Sequence, residues 1–472
     1  MQNFKKYLPY IILGVSSVFF VLFAILSKGD CGGADSYVHY RISRYAFKYP
    51  TLFLDLWGKP VFNILSSPFS QFGFLGIKIF NVLVALLSSW IVYDIARMNK
   101  WHASYMAILM LLFAPIYFIV IPSGLTEPLF GLVLITAVWL FFKDRFLLSS
   151  IVISFLPFAR NEGIVILPLF LLGYLLKRKY LSIPFLCTGF VFFSLAGWAI
   201  YHDILWIISR FIGPGDYGLY GSGSLWHFVN SINEILGIPI LLLWLIGFGF
   251  SSWMLFKNFK NINQEHYFYL IVVGGFLAYF SAHSVVWWLG TGGSLGLIRV
   301  VAGVVPLASL MALRGLHEIL DRIEQRKLLS TAFICLTGLI IVWFPFNMFQ
   351  IPQRIGEAET LIESSCEWLK SEKLDHKLIY FYDPLIPHYL GKDPFDPNEV
   401  HELVDDHENP QNGIPVDAII IWDAHFGPNE GRLPLDRLMN NDSFELLKKV
   451  APEHPFTTIN EYNYEIYIFR RK

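Results

Sequence analysis

Long apolar runs dominate the first 350 residues, about eleven of them, each nearly free of charge in its interior. A bilayer core of about 30 Å takes roughly 20 helical residues to cross, and fewer where neighbouring helices shield the ends. The runs lie at 7–26, 74–96, 102–121, 128–142, 146–159, 163–176, 181–201, 236–256, 267–289, 297–313 and 329–348. Such a chain predicts an all-α polytopic bundle. Composition agrees, because 55% hydrophobic and only 15% charged residues exceed what an ordinary water-soluble domain carries. The formal net charge of −1 hides an ordered distribution, with Lys and Arg gathered in small clusters at the ends of runs. No basic stretch interleaves with exposed aromatics, which sets nucleic-acid binding aside. The first run is longer than a signal-peptide core, and Ser27-Lys28-Gly29-Asp30 offers neither a small-residue cleavage site nor a lipidation sequence before Cys31. It reads as an uncleaved span.

The segment 146–176 tests the count, since Arg160, Asn161 and Glu162 interrupt it near its middle. One helix there would run about 46 Å and hold three polar side chains in hydrocarbon. Two short spans joined by a tight turn avoid that cost. Sidedness supports the same choice, because cytoplasmic loops collect Lys and Arg. With the N-terminus inside, Arg97 and Lys100, Lys143 and Arg145, Lys177 to Lys179, Lys257 and Lys260, and Arg314 to Lys327 all fall inside. The outer side then gathers Asp35, Asp55, Glu127, Arg160, Glu162, Asp203, Arg210, Asp216, His283 and Arg299. Chemistry is expected on that face.

In the outer loop 28–73, Tyr37, Val38, Ile42, Tyr45 and Tyr49 recur at helical spacing opposite Arg41, Arg44 and Lys48, which predicts an interfacial helix ended by Pro50. From residue 351 the apolar runs shorten and charge returns. Residues 351–472 predict a small extracytoplasmic α/β domain, with helices over 355–369 and 433–449, strands over 377–382 and 416–422, and a closing hairpin of 457–462 with 465–469. Cys187 and Cys335 sit within apolar runs as packing residues, and no zinc-type spacing occurs. Pairing of Cys31 with Cys366 stays open.

Each charged group at a helix mouth has two readings. Asp35 precedes a helix, where N-capping suffices to explain it, yet it also suits a catalytic base. Glu127 stands before Pro128 at a helix start, favourable to the dipole, and equally suits acid/base or metal work. Arg160 and Glu162 either pair at a turn or serve a ligand. Arg299 either snorkels to headgroups or presents its planar fork to a phosphate. His283 alone is more often packed than ligating.

Four short motifs follow in order on that one side: Ala34-Asp35-Ser36-Tyr37, Ser123-Gly124-Leu125-Thr126-Glu127-Pro128-Leu129-Phe130, Phe158-Ala159-Arg160-Asn161-Glu162-Gly163, and Gly296-Leu297-Ile298-Arg299 through Pro306. In this order they resemble the GT-C type of polytopic membrane glycosyltransferase, similar to the protein mannosyltransferase and aminoarabinose transferase families. The resemblance covers most of residues 1–350. It implies transfer of a sugar from a polyprenyl-phosphate donor to a glycan, lipid or protein acceptor on the extracytoplasmic face, in the cell envelope of a bacterial inner membrane. It further implies an inverting displacement with Asp35 as base and Glu127 beside it, Arg299 and Arg160 on the donor phosphate, and Glu162, His283 and Tyr37 in support. Many members carry two adjacent acids in the first outer loop. Here Ser36 follows Asp35 and Asp30 lies five residues earlier, which leaves a divalent metal cofactor open. The rival readings are a lipid-linked glycan polymerase or ligase, and a flippase or transporter of lipid-linked sugars. The latter is expected to show paired internal repeats, which the sequence lacks.

Overall fold

A computed structural model describes residues 2–211, 220–258, 262–459 and 462–472. Asp216, Lys260 and the side chain of Arg210 lie outside the described residues. The protein is an integral membrane protein and has, among the described residues, seven helices long and apolar enough to cross a bilayer, Lys6–Leu26, Phe74–Met98, Tyr180–Tyr201, Ile238–Lys257, Gln264–Leu289, Ile298–Ile323 and Lys327–Met348. Three shorter apolar helices, Glu127–Phe142, Phe146–Ala159 and Asn161–Leu176, account for three more of the expected runs. The remaining run is broken into Met106–Leu112 and Pro115–Val120. Pro115 forces that break, since its ring lacks an N–H and drives Ala114 to an extended ψ of 125°.

Burial ranks the helices. In Ile298–Ile323, 94% of the most apolar window is buried, against 11% in Lys327–Met348, so the former runs through the centre of the bundle and the latter along its edge. Close approach to the central helix depends on glycine. A Cβ on Gly247 would collide with the Met311 carbonyl, and one on Gly315 with the Leu243 carbonyl. Backbones this near gain dispersion and weak polar contacts where hydrophobic driving force is absent.

The contacts divide the chain into two compact units, Met1–Cys31 with Ile42–Gln353, and Gly32–Arg41 with Arg354–Lys472. The second contains the expected C-terminal α/β fold. Its strands are β1 (Ile379–Phe381), β2 (Val400–Glu402), β3 (Ile419–Asp423), β4 (Phe444–Val450) and β5 (Ile466–Arg471). They form one sheet in the order β2-β1-β3-β5-β4, with β1 parallel to both neighbours and β5 antiparallel to both of its own. Ile362, Cys366 and Leu369 are the buried face of the helix Glu357–Ser371. Tyr380, Tyr382, Ile420, Trp422, Tyr467 and Phe469 lie in a buried cluster with Leu433 and Leu438.

Two expectations for the tail are corrected. The segment 433–449 is not one helix, because only Asp436–Met439 is helical before Asn440 to Ser443 turns the chain into β4. The apolar residues of that segment fit either period, and the sheet edge decides for the strand. The closing hairpin also differs, since β5 pairs with β4 and β3, while the described residues of the 457–463 stretch form a bridge from Thr457 to Asn463. The helix read after Asp35 is present as Ala34–Tyr45. Within the second unit, the ring of Tyr37 packs 4.9 Å from that of His388, and Arg41 grips both Glu402 oxygens at 2.7 and 2.8 Å. Cys31 and Cys366 are both free thiols.

Candidate active site

The turn carrying Glu127 is built from backbone carbonyls that a buried amide holds in place. Asn81, fully buried on the Phe74–Met98 helix, donates from Nδ2 to the carbonyls of Ser123 and Leu125, both at 2.8 Å. Ser123 ties the turn to the preceding helix by donating to Val120 O at 2.6 Å. Pro128 in the first turn of the next helix costs no hydrogen bond, and Glu127 opens that helix with 2% of its surface exposed. An acid there also meets the positive end of the helix dipole.

Arg160 sits where the helix stops. Its φ of −160° and ψ of 137° are extended, between the helical segment Leu156–Ala159 and the 3-10 turns of Asn161–Ile166. From that break its guanidinium spans two acids. Nη1 pairs with Glu127 Oε1 at 2.8 Å and donates to Thr126 Oγ1 at 3.1 Å, while Nη2 donates to Glu162 Oε1 at 3.1 Å. His283, from the Gly274–Leu289 helix, brings Nε2 to 3.9 Å from the same Glu162 oxygen. Glu127 Oε2, Arg160 Nε and His283 Nε2 are buried and make no hydrogen bond among the described residues. Buried polar atoms are nearly always satisfied, so these mark a place where further polar groups belong.

Lys59 joins this cluster, and sequence reasoning missed it. It takes a left-handed φ of 66° before Pro60, its ammonium donates to Leu56 O at 3.0 Å, and its charge is felt by Glu162, Arg160, Asp55 and Glu127. Burial pulls its pKa below the ordinary lysine value, and Glu162 pulls it back up. The only sequence signal is a lone cation between Gly58 and Pro60, which reads equally well as a headgroup contact. Beside it Asp55 accepts from Gly58 N at 2.6 Å. Asp55 also lines a cleft of about 480 Å³ with Leu52, Leu54, Trp57, Tyr201 and Trp206.

Arg299 enters from the start of the central helix and donates to the Cys31 carbonyl at 3.2 Å. Cys31 in turn donates from Sγ to Ile119 O at 3.3 Å. Burial raises its thiol pKa, the charges of Asp30 and Glu127 add to the rise, and Arg299 opposes it. Arg299 and Glu127 therefore act on one common neighbour. The first unit thus brings together Glu127, Arg160, Glu162 and His283, with Arg299 linked through Cys31.

Asp35 and Tyr37 lie in the second unit. Asp35 is half-buried in the first turn of its helix, and its charge raises the pKa of His425, which burial lowers. Tyr37 is 7% exposed, with its ring 4.9 Å from that of His388.

Among solved structures, the chain is similar to ArnT from Cupriavidus metallidurans bound to undecaprenyl phosphate, with a TM-score of 0.58 and 12% identity over 99% of this chain and 98% of that one. ArnT in the apo state gives 0.58 and 13% over 97% of each chain. The arabinofuranosyltransferase AftD from mycobacteria gives 0.51 and 11% over 97% of this chain and 41% of its own. No family model and no curated protein matches the sequence.

Proposed function

From the GT-C fold that this chain carries, as its motifs led one to expect, we propose that it is a membrane glycosyltransferase. It moves a sugar from a polyprenyl-phosphate donor to a glycan, lipid or protein acceptor on the extracytoplasmic face, with the N-terminus cytoplasmic. The observation that carries this reading is Arg160, a guanidinium clamped between Glu127 and Glu162 at a helix break, with unsatisfied polar atoms around it. In ArnT the same fold binds undecaprenyl phosphate, and the Nε of Arg160, buried and without a partner among the described residues, supports the reading as a charged donor for a phosphate oxygen.

In the reaction the acceptor hydroxyl attacks the anomeric carbon from the face opposite the lipid phosphate. The new carbon–oxygen bond forms as the bond to the phosphate oxygen breaks, and its electron pair leaves on the phosphate. Asp35 takes the acceptor proton. Arg299 and Arg160 meet the charge that grows on the phosphate, in a site already arranged for it. Glu127 holds Arg160 in place, and Glu162 and His283 complete its surroundings. The aromatic cleft beside Asp55 suits a sugar, since indole and phenol rings cover its apolar faces while a carboxylate accepts from its hydroxyls.

The test is a transfer assay with the full chain in lipid nanodiscs, offered a panel of labelled polyprenyl-phosphate sugars. Expected is release of lipid phosphate in one-to-one ratio with glycosylated acceptor, and inversion at the anomeric carbon by NMR. Lipid phosphate released with no sugar on any acceptor, or retention of configuration, overturns the reading.

A further inference from the structure

The second unit contains a buried pair of acids that the transfer mechanism does not use. Its sheet runs β2-β1-β3, so the chain leaves β1 toward β2 on one side and reaches β3 on the other. That reversal opens a gap at the carboxyl ends of β1 and β3, where sheets of this kind bind ligands. Ile379 is paired with Ile419 and Phe381 with Ile421. Beyond that pairing Asp383 lies in the bend that follows β1 and Asp423 ends β3, and the charge of Asp423 acts directly on Asp383.

We propose that a hard divalent cation of the Mg²⁺ or Mn²⁺ class binds between Asp383 and Asp423. Both side chains are buried, at 6% and 0% exposure. Each has one oxygen committed to the turn that follows its strand. Asp383 Oδ1 accepts from Leu385 N at 2.8 Å, and Asp423 Oδ1 accepts from His425 N at 2.9 Å and Phe426 N at 2.8 Å. The other oxygen of Asp423 is buried and makes no hydrogen bond among the described residues. An independent group lies close by: the hydroxyl of Tyr464, 3% exposed and without a hydrogen bond among the described residues, is within electrostatic reach of Asp423, Asp383 and Glu359.

The charge balance selects the ligand. Glu359 and Glu430 add negative potential to the pair. A cation whose field reaches Asp383, Arg41, is already bound to both oxygens of Glu402. Two carboxylates so near each other in a dry setting cannot both stay charged alone: they hold a proton between them, and a divalent cation that takes its place pairs with both charges at once. All the available donors are hard oxygens, while the neighbouring Cys366 thiol is directed at Ile386 O, 3.9 Å away. One free oxygen from each of two acids, with water filling the remaining positions and Tyr464 placed to hydrogen-bond one of them, matches the habit of Mg²⁺ rather than the larger cage that Ca²⁺ prefers.

The experiment uses the full chain in nanodiscs after EDTA treatment. Mn²⁺ binding is counted by loss of the free-ion EPR signal, and denaturant unfolding of the second unit is followed with and without Mg²⁺. Asp321→Asn is introduced in every sample, because His102, Asp321 and Glu324 form a separate cluster of metal-type donors. The parent should bind one Mn²⁺ per chain. Asp383→Asn and Asp423→Asn should each weaken binding at least tenfold, and Tyr464→Phe by two- to tenfold. Removing one of two repelling carboxylates leaves the empty unit at least as resistant to denaturant, so lost binding is not lost folding. Mg²⁺ should shift the unfolding midpoint of the parent and leave both Asn variants unmoved. No Mn²⁺ bound by the parent, equal binding in the Asn variants, or stabilisation by a primary amine in place of Mg²⁺ overturns the proposal.

Discussion

Replacing Glu127 with Gln keeps the side chain's shape and removes one charge from the most enclosed ion pair of the candidate site. At 2.8 Å, unit charges attract by about 6 kcal/mol at an effective dielectric constant of ~20. Most of that attraction offsets the cost of taking both groups out of water. What the variant loses is therefore set by the charge left behind, about 3–5 kcal/mol when one partner of a buried pair is removed. Arg160 keeps Glu162 at 3.1 Å, so the lower end, about 3 kcal/mol, is expected. Glu162 is 34% exposed and shares its charge with water, so Glu162→Gln should cost about 1 kcal/mol or less. The double variant strips Arg160 of both acids, and its cost should exceed the sum of the two by about 1 kcal/mol or more. Denaturant unfolding in mixed micelles, followed by tryptophan fluorescence, measures all three. A Glu127→Gln protein as stable as the parent, or a Glu162→Gln protein equally damaged, would refute the idea that Glu127 is the principal partner of Arg160.

Asp35→Asn should lower transfer by about 10²–10⁴-fold with unchanged membrane expression, and near-parental turnover of labelled donor removes Asp35 from the base role. Arg299→Ala should raise the donor KM by about tenfold or more with little change for the acceptor, since charge-assisted contacts are worth about 1.5–3 kcal/mol; equal effects on both substrates count against a phosphate contact. Gly315→Ala should destabilise the bundle by about 1–3 kcal/mol because its methyl meets the Leu243 carbonyl, whereas Gly249→Ala, with open space around it, should be near neutral in the same unfolding assay. Burial holds the pKa of His388 below its ordinary value. The folded unit then binds fewer protons than the unfolded chain, so its contribution is complete above about pH 6.5 and is lost as pH falls through the depressed value; proteolysis within residues 32–41 should quicken in acid, and His388→Phe should weaken that dependence, leaving the part carried by His425.

Much of the membrane bundle was legible because hydrocarbon imposes its period on sequence. Every apolar run became helical, and the Arg160-Asn161-Glu162 interruption became a backbone break, since polar groups at that depth have few alternatives. Pairing of Arg160 with Glu162 was one of two open readings, while its stronger partner Glu127 lies 33 positions away and no local rule joins them. Lys59 escaped because a single lysine in an aromatic loop has no pattern to betray it. The tail was harder. Residues 433–449 carry apolar spacings compatible with helix or strand, and only the presence of β5 as a neighbour settles the matter. Likewise Asp383 and Asp423 come together only because β1 and β3 lie side by side, a property of the assembled sheet.

The break at Arg160 bears on how the chain enters a membrane at all. Phe146–Ala159 and Asn161–Leu176 are about 21 and 24 Å long as ideal helices, each short of the hydrocarbon width by itself. Neither half is a competent insertion signal alone, so the two are expected to partition during synthesis as one hairpin, all or none. Apolar residues in place of Arg160, Asn161 and Glu162 together are expected to fuse them into a single long crossing and to thread every later segment in the reverse sense.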